Sequence, residues 1–143
     1  MNAMLENQTT KKISECEIPV LWSQLDSNGH VNNGVYQFYF DEARMRALEE
    51  IGFSLSEMRK NKIGPVMYKS ILDYKKQLHH PDTVLIKTWM QEMEKARGIL
   101  IQELYRKSDG ELVCHAEFHC LFMDFNKNRP WKIPEDKLKN LIG

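Results

Sequence analysis

Asp26-Ser27-Asn28-Gly29-His30-Val31-Asn32-Asn33 runs straight into Gly34-Val35-Tyr36-Gln37-Phe38-Tyr39-Phe40. A carboxylate, amides and an imidazole fall within eight residues, just before a helical pattern begins. Val35, Tyr39, Ala43, Ala47 and Ile51 recur at fourfold spacing, and Tyr36, Phe40 and Leu48 widen the same stripe. Asp41, Glu42, Arg44, Glu49 and Glu50 are assigned to the polar face. The spacing predicts a helix over residues 34–50, with Asn32 or Asn33 as N-cap and Gly52 at C′. Polar side chains therefore gather where a helix presents unpaired N–H groups, a good place to hold and attack a polarised carbonyl.

Outward from the helix, the period changes to two. Ile18, Val20 and Trp22 alternate in a predicted first strand over residues 13–22. Beyond the helix, Val66, Tyr68, Ser70, Leu72 and Tyr74 are read as one face of a second strand, which His79-His80-Pro81-Asp82 ends. Further strands are predicted over residues 84–93, 98–106 and 112–125, with a turn at Ser108-Asp109-Gly110. A short helix over residues 134–141 starts at Pro134. Short connections after the long helix imply antiparallel pairing, so the expected class is α+β, one long helix on one antiparallel sheet. Such a sheet leaves a face or an edge unprotected, which predicts a dimer.

The chain has 143 residues, zero formal net charge and pI near 7.0. That length fits a single domain, placed at residues 13–143 behind a flexible tail over residues 1–12. Balanced charge provides no global pull toward nucleic acid or membrane surfaces. No apolar run reaches the roughly 18 residues of a membrane span, and the first residues show no secretory pattern. Cys16, Cys114 and Cys120 form no CxxC pair, so reduced thiols and a cytoplasmic location are expected.

The run Leu25-Asp26-x-x-Gly29-His30-Val31-Asn32-Asn33-x-x-Tyr36, with Phe40-Asp41-Glu42-Ala43-Arg44 in the helix, resembles the hotdog-fold acyl thioesterases of the 4-hydroxybenzoyl-CoA thioesterase type. Gly64-Pro65-Val66, Leu72-Asp73-Tyr74 and Pro81-Asp82-x-Val84 are similar to later segments of that family. The His-Val-Asn-Asn variant is similar to bacterial long-chain acyl-CoA and plant acyl-ACP thioesterases. The resemblance implies a central helix wrapped by a five- or six-stranded antiparallel sheet. It also implies a homodimer with active sites at the subunit interface, often paired into a tetramer, and hydrolysis of acyl-CoA or acyl-ACP without metal or cofactor.

Thioester hydrolysis needs a base or nucleophile and a carbonyl-polarising donor. The leaving thiol, with a pKa near ~8.5 if it behaves like free cysteine, needs little help. Asp26 is the candidate base or nucleophile, a role the resemblance implies; its competing reading is the start of an Asx turn. The N–H of Asn33 or Gly34 is the candidate polarising donor. His30 and Asn28 are supporting candidates, each with a loop role as its alternative. The plant enzymes carry an acidic residue after the Leu-Asp/Glu-Tyr motif, where this chain has Gln77 and Leu78, so a second carboxylate is missing.

Lys95 and Arg97 are candidates for CoA phosphates, ahead of Lys60 and Lys62. Tyr36, Phe38, Tyr39 and Phe40 form either core or an acyl tunnel. His115, Glu117 and His119 alternate on one strand face, where a solvated surface outweighs a metal site. Cys114 and Cys120, opposite them, read as core. An acyl-ACP thioesterase, a hydratase or dehydratase using His30, and a non-catalytic acyl-thioester binding protein are the rival functions.

Overall fold

The computed structural model describes residues 12–142, so the predicted tail lies outside it except for Lys12. In chain order come β1 (Ser14–Pro19), a single 3-10 turn (Trp22–Gln24), α1 (Val35–Glu50), α2 (Leu55–Asn61), β2 (Ile63–Tyr74), β3 (Thr83–Glu94), β4 (Arg97–Arg106), β5 (Leu112–Asp124), β6 (Arg129–Pro130) and α3 (Glu135–Ile142). The strand order is β1-β3-β4-β5-β2, with the short β6 beside the end of β5. Every pairing is antiparallel. The architecture is the expected hotdog fold, with α1 packed on the concave face of the sheet.

Alternation sets that face. Along β5, Val113 apart, Cys114, Ala116, Phe118, Cys120 and Phe122 are buried, while His115, Glu117 and His119 point outward. Phe40 of α1 meets Phe118 edge-on at 5.6 Å between ring centres, and Tyr36, Tyr39, Ala43 and Leu48 continue the buried stripe. Gly52, at φ +90, ends the helix as anticipated. The three cysteines are free and buried. Burial pushes the Cys114 thiol up to about 12 and Cys120 to about 11.

Five expectations need correction. The first strand ends at Pro19 rather than reaching residue 22, because the chain turns into the 3-10 turn, which leaves Trp22 74% exposed instead of in line with Ile18 and Val20. The N-cap of α1 is Gly34 rather than either asparagine. Asn32 instead accepts the Gly34 N–H through Oδ1 at 2.9 Å, and its carbonyl takes the Val35 N–H, so a turn precedes the helix. Arg44 is buried (8% exposed), not on the polar face. Its guanidinium lies 4.4 Å from the centre of the Phe118 ring and donates to Gln102 Oε1 at 3.0 Å. The fourfold stripe is wide enough to reach position 44, and a planar, weakly hydrated cation can stack where an ammonium would not.

In β2, a bulge between Met67 and Lys69 shifts the register against β5. Met67 pairs Cys120 and Leu72 pairs Ala116, both on the inner face, whereas Val66 pairs Leu121 on the outer one. Val66 and Tyr68 therefore do not share a face with Leu72 and Tyr74. One extra residue reverses the period-two pattern. Lastly, β2 and β3 are not a hairpin: residues 75–82 cross the sheet end, and β2 forms an edge beside β5. Helix α2, capped by Ser54 Oγ on the Glu57 N–H at 3.2 Å, had no counterpart in the predicted elements.

Candidate active site

The polar loop between the 3-10 turn and α1 is tied down from three sides. Leu25 and Val31 form an isolated antiparallel bridge. The Val31 N–H donates to Leu78 O at 2.8 Å, and the Asn32 N–H to Gln24 O at 3.0 Å. Gln24 Oε1 accepts the Tyr39 hydroxyl at 2.6 Å and the Leu21 N–H at 2.8 Å. One glutamine thus couples the 3-10 turn, the loop and the second turn of α1. Burial raises the Tyr39 phenol to about 12, so it stays a hydrogen-bond donor at neutral pH.

Within this frame Asp26 is half-buried. Its Oδ1 accepts the N–H of Asn28 at 2.8 Å and of His30 at 3.2 Å. The backbone closes around it, with the Asp26 N–H to His30 O at 2.7 Å and the Gly29 N–H to Asp26 O at 3.1 Å. Gly29 has φ +76, which an L side chain rarely adopts. The Asx turn is therefore real, yet it uses one oxygen. Oδ2 makes no hydrogen bond among the described residues. The turn fixes the carboxylate and leaves its second oxygen without a hydrogen bond among the described residues, so an Asx turn is compatible with a chemical role.

The helix start sorts the two candidate donors. The Gly34 N–H is taken by Asn32 Oδ1 at 2.9 Å. The Asn33 N–H has no acceptor among the described residues. The Asn33 carbonyl receives the Tyr36 N–H at 3.3 Å and the Tyr74 hydroxyl at 3.4 Å, so β2 also braces this point. Tyr36 is buried against Tyr74, with ring centres 5.1 Å apart, and burial raises its phenol too. The ring of His30 meets that of His79 edge-on at 4.7 Å. The side chain of Asn28 is exposed at the turn.

The other candidates scatter. Phe38 is 74% exposed and belongs to neither core nor tunnel in one chain. Lys95 and Arg97 sit at the β3–β4 turn, the end of the sheet opposite Asp82. β3 spans 12 residues, about 35–40 Å, so one chain does not bring these cations to Asp26. Lys75 and Lys76, exposed just beyond Tyr74, are cations on the Asp26 side that the sequence reading passed over. Their position after a strand end gave no signal. Gln77, at the position matched to the plant enzymes' acid, is exposed, and Leu78 after it is fully buried and serves the loop through its carbonyl. His115 Nδ1 lies 3.0 Å from Glu103 Oε2 and His119 Nε2 2.7 Å from Glu117 Oε2, so each imidazole has its own carboxylate.

The profile of the thioesterase-like superfamily matches residues 20–141. The chain is 28% identical over 115 residues to the long-chain acyl-CoA thioesterase FadM of Escherichia coli (strain K12), covering 79% of this chain and 86% of that one. It is 27% identical over 120 residues to the chloroplastic acyl-acyl carrier protein thioesterase ATL3 of Arabidopsis thaliana, covering 84% of this chain but 63% of the plant one. Among solved structures, the DHNA-CoA thioesterase from Staphylococcus aureus superposes with a TM-score of 0.78 at 25% identity, over 84% of this chain and 80% of that chain. The chain belongs to the thioesterase-like superfamily, and so to the thioester hydrolases.

Proposed function

We propose that this protein hydrolyses aliphatic acyl-CoA to a free carboxylic acid and CoA, with Asp26 as the reacting carboxylate. The observation that carries this reading is the pairing of two unspent groups on one braced loop: Asp26 Oδ2 and the Asn33 N–H. The Asn33 N–H polarises the thioester oxygen as negative charge develops on it, helped by the positive end of α1. Asp26 takes a proton from water as the water oxygen bonds to the carbonyl carbon. The C–S bond then breaks, the departing sulfur takes that proton from Asp26 and leaves as the thiol, and the carboxylate is regenerated. Direct attack by Oδ2, giving an acyl-anhydride that water cleaves, uses the same atoms. His30 and Asn28 shape the turn that aims the carboxylate, and Gly34 and Tyr36 border the carbonyl position.

The reading is tested by following thiol release from a panel of acyl-CoAs of increasing chain length. Turnover that depends on Asp26 is the expected result. Reversible hydration of an enoyl thioester without thiol release would replace this reading with a hydratase. Tight acyl-CoA binding without turnover would replace it with a binding protein.

The working unit in this proposal is a single-domain homodimer in the cytoplasm. β2 supports it: this edge strand exposes Val66, Tyr68, Ile71 and Tyr74, an unpaired apolar edge that a second copy would cover. Antiparallel pairing of two β2 edges would set the partner's Lys95–Arg97 turn at the same end as this chain's Tyr74. That returns those cations to the site as CoA phosphate ligands. Val66→Lys together with Ile71→Lys is expected to shift the protein from dimer to monomer in light scattering. A dimer that persists would move the interface elsewhere.

A further inference from the structure

Three phenols meet at the first turns of α1, those of Tyr36, Tyr39 and Tyr74, and their hydroxyls are in different states. Tyr39 spends its hydroxyl on Gln24 Oε1 at 2.6 Å. Tyr36 is 2% exposed, too deeply set to meet a substrate arriving from solvent. Tyr74 is 47% exposed. Its hydroxyl donates to Asn33 O at 3.4 Å, well beyond the usual O–H···O range of roughly 2.5–3.0 Å. That carbonyl already receives the Tyr36 N–H at 3.3 Å, so it keeps a partner when the phenol turns away. Tyr74 therefore holds a weakly engaged donor beside the residue whose own N–H has no acceptor among the described residues.

The sheet aims this donor. Tyr74 is the last residue of β2 and pairs with the buried Cys114 on the inner face. Its side chain therefore rises toward α1, out of the plane in which edge strands pair. The ring meets that of Tyr36 edge-on, with centres 5.1 Å apart, which holds the ring while the O–H stays free to rotate. Partial burial raises the phenol pKa, so the proton stays on oxygen at neutral pH. A thioester oxygen held by the Asn33 N–H gains negative charge as the carbonyl carbon turns tetrahedral, and a charged oxygen draws further donors strongly. We propose that the Tyr74 hydroxyl leaves Asn33 O and donates to that oxygen, completing an oxyanion hole of one backbone N–H and one phenol. The phenol donates a hydrogen bond and keeps its proton, and it is released when the C–S bond breaks and the carbonyl re-forms. Tyr74 thus joins the groups that touch the reacting atoms, an assignment that rests on the proposed hydrolysis at Asp26.

The test uses Tyr74→Phe, which keeps the ring and its contact with Tyr36 and removes the O–H. On saturating dodecanoyl-CoA, kcat is expected to fall about 10-fold or more, the direction of a lost donor to developing charge. KM and the thermal midpoint are expected to stay as in the wild type. A lost brace on Asn33 would do the reverse, raising KM or lowering the midpoint with kcat unmoved, and that result overturns the proposal. A second measurement needs no turnover. The probe is a ketone analogue of dodecanoyl-CoA, with methylene in place of sulfur and a carbon-13 label at the carbonyl. Its C=O stretch is recorded by isotope-edited infrared difference spectroscopy in complex with each protein. The band is expected at lower frequency in the wild-type complex than in the Tyr74→Phe complex, and coincident bands overturn the proposal whatever the rates. Should Tyr74→Phe not fold, Tyr74→Met takes its place in both measurements. If the wild-type protein releases no thiol, the hydrolysis reading fails separately, and the bands alone decide the Tyr74 contact. If it neither releases thiol nor binds the ketone, both readings fall.

Discussion

Asp26→Asn is expected to lower kcat for acyl-CoA hydrolysis by 100-fold or more while leaving the thermal midpoint unmoved. Asparagine keeps an Oδ1 that accepts the Asn28 and His30 N–H groups, so the turn is retained. What changes is the second oxygen, now an amide nitrogen that can neither take a proton nor attack a carbonyl. A positioned general base typically contributes roughly 10²–10⁴-fold, and a nucleophile at least as much. Asp26→Ala removes turn and chemistry together, so it separates the two roles poorly. It is expected to cost about 1 kcal/mol of stability as well, the usual scale for a lost side-chain cap. Rates on a saturating acyl-CoA, measured beside thermal unfolding, check both. Normal turnover by Asp26→Asn would leave Asp26 as a turn residue only.

The largest stability effect is expected at Gln102. This side chain is fully buried. It accepts from Arg44 Nη1 at 3.0 Å and donates to Phe40 O and Thr88 Oγ1, each at 3.0 Å. Gln102→Leu fits by volume, yet it leaves a buried guanidinium facing carbon. Burial already pulls the Arg44 pKa down, against the raising influence of Asp41. Asp41 is a weak compensator because its side chain is 64% exposed. Removing one partner of a buried charged bond costs about 3 kcal/mol. For a chain of this length that is roughly a 6–12 °C fall in Tm. Adding Arg44→Met is expected to restore much of the loss, because the unpaired charge leaves with it. Urea unfolding of the single and double variants checks the coupling, and additive losses would contradict it.

The long helix, most strand positions and the Asp26 turn were legible because each obeys a local rule: a 3.6 or 2.0 period, a turn pair, a glycine at a helix end. The parts that escaped depend on partners distant in the chain. Arg44 enters the core because Gln102 and Phe118, 58 and 74 residues later, receive it. Tyr68 bulges because β5 supplies one residue fewer than β2 at that point. The order β5-β2 at the edge is likewise a tertiary choice. At the candidate site, residue types singled out Asp26 and the helix start. Only geometry separates the spent Gly34 N–H from the unspent Asn33 N–H. Lys95 and Arg97 show the opposite case: their chemistry suits a phosphate, but one chain alone cannot bring them to it.

The bulge at Tyr68 has a bearing on survival as well as shape. An exposed apolar edge invites fibrillar stacking when it is long, flat and uniform in register. β2 has 12 residues, but its register is not uniform. Pro65 withholds one N–H, and the bulge divides the strand into two short runs whose side chains face opposite ways. A foreign strand in steady register can match one run or the other. A second copy of the same strand carries the same interruption. The irregularity in β2 thus narrows the set of strands that can match this exposed edge along its whole length.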